Sequence, residues 1–159
     1  RCDLLLAKDL PSLSELVDLA SRTKARVVRA DFEEHCVRRI LNLGHTVGHA
    51  LERLSAYDLR HGEAVAIGMA AAVRIAVALD RAPPMLITRV EDALRGAGLS
   101  LASPPLPAEE IIGALRHDKK RKGQSLRWIL PREVAEIEIA TDVPLDIVRK
   151  VLIEMGARR

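Results

Sequence analysis

The sequence predicts a mainly α-helical protein with one small β-hairpin near residues 126–140. Aromatic side chains make up only 2% of the chain, so its core must come from Leu, Val, Ile and Ala, which suit packed helices. Apolar residues recur with helical spacing along most of the chain. Only "LRWILP" and "VAEIEIA" are convincing strand candidates, and together they predict the hairpin.

The first third of the chain predicts two helical regions with a connection between them. "SLSE" is typical of a capping box, so a helix is predicted from Ser12 to about Thr23. "KARVVRADF" is short and β-branched, which favours an extended segment or a turn between helices. A helical pattern then runs from Glu33 to Ser55. Gly44 and Gly48 interrupt it, and they would let another backbone or a ligand come close.

The remaining elements follow from apolar runs and from the glycines and prolines that end them. The stretch rich in Ala, Val and Ile predicts a buried helix, and the polar, basic "HDKKRKGQ" predicts a loop. The predicted helices are Gly62–Leu79, about Met85 to Arg95, Pro107 to about Arg116, and a last helix capped by Thr141 or Asp142 that ends near Gly156.

Composition predicts a cytoplasmic globular domain. The 159 residues fit a single domain, residues 1–159, with 48% apolar residues to form its core. The net charge of +3 is small and mixed, so nucleic acid is not an expected partner. Cys2 and Cys36 are typical of free thiols in a reducing compartment. The longest apolar run is broken by Arg74 and no signal peptide is recognisable, so no membrane is expected.

Because the first residue is Arg1 and not Met, we expect a piece of a longer polypeptide or a processed form.

Three of the five histidines lie between Arg38 and Met69, in "RRILNLGHTVGHALERLSAYDLRHGEAVAIGM". His45 and His49 are four residues apart, so on a helix they share one face. His61 precedes Gly62 and Glu63 at a predicted helix start, where backbone N–H groups can hold an anion. Spacing alone does not separate a metal or anion site from ordinary capping or packing histidines.

"LNLGHTVGHALE" followed by "HGEAVAIGM" resembles the signature of 3-dehydroquinate synthase and its sugar-phosphate cyclase relatives. The likeness extends upstream through "KARVV" and downstream to "DKKRKGQSLRWILP". It implies the helical C-terminal domain of an enzyme whose N-terminal domain binds NAD. The chain departs from the family pattern at Phe32, Cys36 and Val47.

The resemblance also implies roles for individual residues. His45 and His61 match two ligands of a divalent metal, zinc or cobalt, whose acidic third ligand lies upstream of Arg1. Lys24 and Arg38 match the pair that binds the substrate carboxylate. Phosphate-side positions are matched by Asn42, His49 and one of the two lysines Lys119 and Lys120. The resemblance implies a catalytic role for His49 and for the lysine, and substrate binding for Asn42 and His49.

For the whole enzyme, the resemblance implies conversion of a seven-carbon keto-acid phosphate (DAHP) to 3-dehydroquinate. Phosphate is eliminated in this reaction, which belongs to the shikimate pathway of aromatic amino acid biosynthesis. A homodimer is expected, and the isolated chain is expected to be inactive. Two alternatives stay open: a related sugar-phosphate cyclase, or a non-catalytic helical binding module derived from the enzyme. A glycine-rich nucleotide domain encoded before Arg1 would favour the enzyme, and a native start codon there would favour the module.

Overall fold

The computed structural model describes residues 6–7, 9–31, 37–122 and 126–159, with the side chains of residues 37 and 118–122 outside that description. Helices dominate these residues, and two antiparallel strands complete them, so the mainly α prediction is confirmed. In chain order the elements are α1 (Leu10–Ala30), a 3-10 helix (Val37–Asn42), α2 (His45–Leu54), α3 (His61–Ala78), α4 (Met85–Gly96), α5 (Ala108–Lys122), β1 (Trp128–Glu133), β2 (Glu136–Ala140) and α6 (Leu145–Glu154).

The predicted hairpin is present, and it covers one side of the core. Trp128 pairs with Ala140, and Pro131 with Ile137, in antiparallel register. The register shifts between Pro131 and Glu133, just before the turn. Proline has no N–H to donate to a ladder, so a shift next to it suits an edge position. Trp128, the only tryptophan in the sequence, is buried in the core.

Helix α1 begins earlier and ends later than predicted. Its N-cap is Asp9, whose carboxylate accepts the Ser12 N–H at 2.9 Å, so the predicted capping box at Ser12 is wrong. Pro11 falls in the first turn, where its missing N–H costs nothing. The helix continues through "KARVV" to Ala30, because Lys, Ala and Arg around the two valines are strong helix formers.

Two further boundaries differ from prediction. Helix α5 continues to Lys122 and does not end near Arg116, because the Lys and Arg residues of the presumed loop have high helix propensity. Helix α6 begins at Leu145, with Pro144 at the N-cap position, and neither Thr141 nor Asp142 caps it. A residue that precedes proline is driven to extended backbone, so the helix cannot start before Pro144.

Helix α3 is the centre of the fold. It contacts α2, α4, β1 and α6, and ten of its residues are buried. In the described part of the chain it alone is long and apolar enough to cross a membrane, with a mean hydropathy of 1.3, even though Arg74 lies within it. Of these 18 residues, 56% are buried inside the protein, as expected for a core helix.

Helices α2 and α3 approach each other through glycines. A Cβ at Gly68 would lie 1.9 Å from the Gly44 carbonyl oxygen and 3.0 Å from the Gly48 nitrogen. Gly44 also has a φ of +81°, which other residues adopt only with strain. The predicted close approach at Gly44 and Gly48 is therefore that of another backbone. This contact sets the position of the histidine-bearing turn of α2 against α3.

Arg74, which interrupts the apolar run of α3, joins that helix to α4. Its guanidinium contacts the buried Glu91 carboxylate, with Nε to Oε1 at 2.7 Å, and Arg95 contacts the other oxygen at 2.8 Å. A buried carboxylate needs such compensation, and Glu91 receives it from one arginine of α3 and one of its own helix.

Candidate functional site

The structure brings His45, His49 and His61 together. His45 and His49 lie one turn apart in α2, and His61 is the first residue of α3. Ring centres are 5.1 Å apart for His45 and His49, 5.3 Å for His45 and His61, and 5.9 Å for His49 and His61. The three imidazoles thus form one cluster at the contact between the two helices.

These separations fit a metal held by imidazoles. A zinc ion bound at about 2.0–2.1 Å from a ring nitrogen lies about 3.2 Å from the ring centre, so tetrahedral geometry separates two bound rings by about 5.2 Å. All three observed distances are near that value, so distance alone does not identify which pair of rings is suited to a metal.

The hydrogen bonds of the rings indicate which nitrogen atoms are available to a metal, which the distances between ring centres do not. His45 Nδ1 lies 3.2 Å from the Leu43 carbonyl oxygen, which can only accept. Nδ1 must therefore carry the proton, and Nε2 of the neutral ring keeps a free lone pair. Metal-bound histidines generally donate their other N–H to a carbonyl or carboxylate, so His45 has the arrangement that a ligand needs.

Glu52, to which sequence reasoning assigned no role, lies beside His61. Its two carboxylate oxygens are 3.1 and 3.2 Å from His61 Nδ1. The potential ligand atoms of His49, Glu52 and His61 all lie within 4.8 Å of one another. Glu52 follows His49 by three residues in α2 and so shares its helical face, a spacing visible in the sequence.

The predicted carboxylate-binding and phosphate-binding residues lie on different elements. Lys24 is exposed on α1, and Arg38 is half-buried in the 3-10 helix, where its N–H donates to Asp31 Oδ2 at 3.0 Å. This bond ties the end of α1 to the 3-10 helix. Asn42 is the last residue of the 3-10 helix, and the left-handed Gly44 separates it from α2. Asn42 and His45 therefore do not lie on one continuous helix, although a helical pattern was predicted through both positions.

Lys119 and Lys120 lie in the last turns of α5, and their side chains are outside the described part of the structure. The direction of α5 is nevertheless clear from contacts at both ends of α2. Arg53, near the end of α2, donates to the Ala114 carbonyl at 2.9 Å. Thr46, at its start, donates to the carbonyl of Arg127, which follows α5, at 3.3 Å. The last turns of α5 therefore point toward the histidine end of α2.

The fold matches that of two solved synthases over most of this chain. A solved 2-deoxy-scyllo-inosose synthase complexed with carbaglucose-6-phosphate, NAD+ and Co2+ matches 91% of this chain and 41% of its own, with a TM-score of 0.80 and 26% identity. A 2-epi-5-epi-valiolone synthase from Streptomyces hygroscopicus, with NAD+ and Zn2+ bound, covers 98% of this chain and 43% of its own, with a TM-score of 0.83 and 22% identity.

Sequence comparison identifies the family. The model for "3-dehydroquinate synthase C-terminal" matches residues 1–121. The chain is 37% identical to the 3-dehydroquinate synthase of Crocosphaera subtropica over 157 residues, and 42% identical to that of Nostoc punctiforme over 142 residues. It spans 43% and 39% of the lengths of those two relatives. The chain belongs to the 3-dehydroquinate synthase C-terminal family.

Proposed function

We propose that this chain is the C-terminal part of a 3-dehydroquinate synthase. The whole enzyme would convert the seven-carbon keto-acid phosphate to 3-dehydroquinate with elimination of phosphate, in the shikimate pathway of aromatic amino acid biosynthesis. Family membership supports this proposal. The observation that carries it is the convergence of His45, His49 and His61 at one contact between two helices.

In this proposal His45 and His61 hold the divalent metal, zinc or cobalt. The Nδ1–H of His45 is engaged by the Leu43 carbonyl, which leaves Nε2 to bind the ion. Two neutral imidazoles do not balance the charge of a divalent ion, so an acidic third ligand from outside this chain completes the site. When bound, the ion polarises a substrate hydroxyl and eases its deprotonation. NAD is held mainly by an N-terminal domain, with which this chain forms the substrate cleft.

The remaining polar side chains bind the two anionic ends of the substrate. Lys24 and Arg38 take the carboxylate, for which the planar fork of arginine allows two parallel hydrogen bonds. We assign Asn42 and His49, which flank His45 in the chain, to the phosphate end. One of the two lysines near the end of α5, Lys119 or Lys120, adds a positive charge there. We also propose a homodimer in the cytoplasm.

Zinc titration of the 159-residue chain by calorimetry tests the metal assignment. The wild-type chain should bind zinc loosely, because the acidic ligand is not among its residues. His45→Ala and His61→Ala should each abolish the measurable heat. His117→Ala is the matched control, since His117 is an exposed histidine of α5 outside the cluster, and it should bind as the wild type does. Tight binding that survives both cluster substitutions would refute the assignment.

Steady-state kinetics of a full-length enzyme that contains this chain tests the carboxylate assignment. Lys24→Ala and Arg38→Ala should each raise KM roughly 10- to 100-fold, because a hydrogen bond to a charged group contributes about 1.5–3 kcal/mol. A substrate analogue without the carboxylate should bind equally well to wild type and variants. If the variants also lose affinity for that analogue, neither side chain recognises the carboxylate.

A further inference from the structure

The side chains of Glu52 and His61 form a hydrogen bond between α2 and α3. The Glu52 side chain is only 14% exposed, whereas that of His61 is 59% exposed. Both carboxylate oxygens lie at hydrogen-bonding distance from the same ring nitrogen, Nδ1, at 3.1 and 3.2 Å. A mostly buried carboxylate thus holds the Nδ1 edge of a largely exposed imidazole.

This contact determines which nitrogen of His61 carries the proton. An ionised carboxylate can only accept hydrogen bonds, so Nδ1 must donate. A neutral imidazole has a single N–H, and in water that proton resides mainly on Nε2. Glu52 therefore selects the less common tautomer, in which Nε2 has the free lone pair. His45 has the same tautomer for a different reason, since its Nδ1 faces the Leu43 carbonyl.

We propose that Glu52 is a positioning residue: it holds His61 as the Nδ1–H tautomer and so makes Nε2 the metal-binding atom. This inference deepens the proposed function and rests on it for the metal. The opposing arrangement has Glu52 itself as a ligand, together with His49 and His61, whose donor atoms lie within the same 4.8 Å set. In that arrangement His61 must bind through Nδ1, because Nδ1 is the edge that faces Glu52. The two arrangements are mutually exclusive, and the ring nitrogen that binds metal separates them.

The first test uses the metal-free, 15N-labelled chain at a pH where imidazoles are neutral, with two-bond 1H–15N correlation of the histidine rings. His61 should be the Nδ1–H tautomer in the wild type and in Glu52→Gln, whose amide oxygen still accepts. It should revert to Nε2–H in Glu52→Ala. The matched control is Glu63→Gln, since Glu63 is two residues from His61 and accepts the Arg60 N–H at 3.1 Å. A His61 that is Nε2–H in the wild type, or unchanged in Glu52→Ala, would overturn the proposal.

The second test repeats the spectra and the calorimetry with zinc. Metal should shift the Nε2 resonance of His61, and Glu52→Ala should weaken zinc binding about 10- to 100-fold, as loss of a partner to a ligand does. Glu52→Gln should recover much of that loss. A shift at Nδ1, with equal loss in both variants, would make Glu52 a ligand and refute the positioning role. If wild type binds no zinc, the proposed metal site fails, whereas the tautomer measured without metal still decides what Glu52 does.

Discussion

Helices α1 and α3 have similar lengths but differ in how much of their surface is buried. Helix α3 has 18 residues, ten of them buried, and its Gly68 lies directly against the backbone at the start of α2. Helix α1 has 21 residues, all described and none buried, and its apolar side chains Leu10, Leu16, Val17 and Leu19 remain exposed. Among the described elements, α1 has substantial contact only with the 3-10 helix. An apolar stripe is thus enough to predict a helix, but burial requires a surface that fits it.

The largest expected effect comes from the backbone contact that α3 has and α1 lacks. Gly68→Ala should destabilise the chain by at least about 1–3 kcal/mol, because the new Cβ would overlap the Gly44 carbonyl and only a backbone shift can relieve it. Urea unfolding followed by circular dichroism measures this. Gly113→Ala in α5 is the control. A Cβ there meets no described atom within 4 Å, so helix propensity should raise stability by roughly 0.5–1 kcal/mol. Equal stability of Gly68→Ala and wild type would contradict the close approach.

A pair of leucine truncations compares the two regions directly. Leu51→Ala, in α2 against α3, removes a side chain that is 0% exposed and should cost about 2–5 kcal/mol. Leu16→Ala in α1 removes one that is 47% exposed and should change stability by less than about 0.5 kcal/mol. Alanine and leucine both favour helix, so helix propensity changes little in either variant. The free energy of unfolding in urea therefore measures the loss of packing contacts. If Leu16→Ala lowered stability as much as Leu51→Ala, the conclusion that α1 is poorly packed would be contradicted.

The smallest expected effect concerns two ion pairs, one in each region. Arg81, after α3, donates to Asp142 Oδ2 at 2.7 Å, and this hydrogen bond chiefly lowers the pKa of Asp142 below its ordinary value of 3.8. A lowered pKa means that the bond stabilises the fold fully above about that pH and is lost as pH falls through the folded value. Asp142→Asn should therefore lower stability slightly at neutral pH, and the difference from wild type should vanish in acid.

The control for this pair lies within one helix. Asp18 accepts from Arg22 Nε at 2.9 Å, one turn along α1, and both side chains are largely exposed. Asp18→Asn should have an effect on thermal unfolding no larger than that of Asp142→Asn, because its pair joins residues of one turn and links no separate elements. A larger loss for Asp18→Asn would show that α1 contributes more to the cooperative fold than its exposure implies.

Local chemistry was enough to predict most helices, the hairpin and the shared helical face of two histidines. The α3 and α4 boundaries follow from apolar runs and the prolines between them, which act over neighbouring residues only. His45 and His49 share one face because their spacing matches one helical turn. Prediction of the N-terminus of α1 was wrong because two nearby residues, Asp9 and Ser12, are both favourable N-caps. Asp9 caps the helix in the structure.

The sequence by itself determined which imidazoles this protein has and how far apart they lie along the chain. Only the tertiary structure decided how those imidazoles are presented. The contact of Gly44 and Gly48 with α3 brings His61 to the α2 histidines, and Glu52 then meets His61 Nδ1 from another helix. A tautomer depends on which acceptor lies within about 3 Å of a ring nitrogen, and that is a property of packed elements that no sequence spacing specifies.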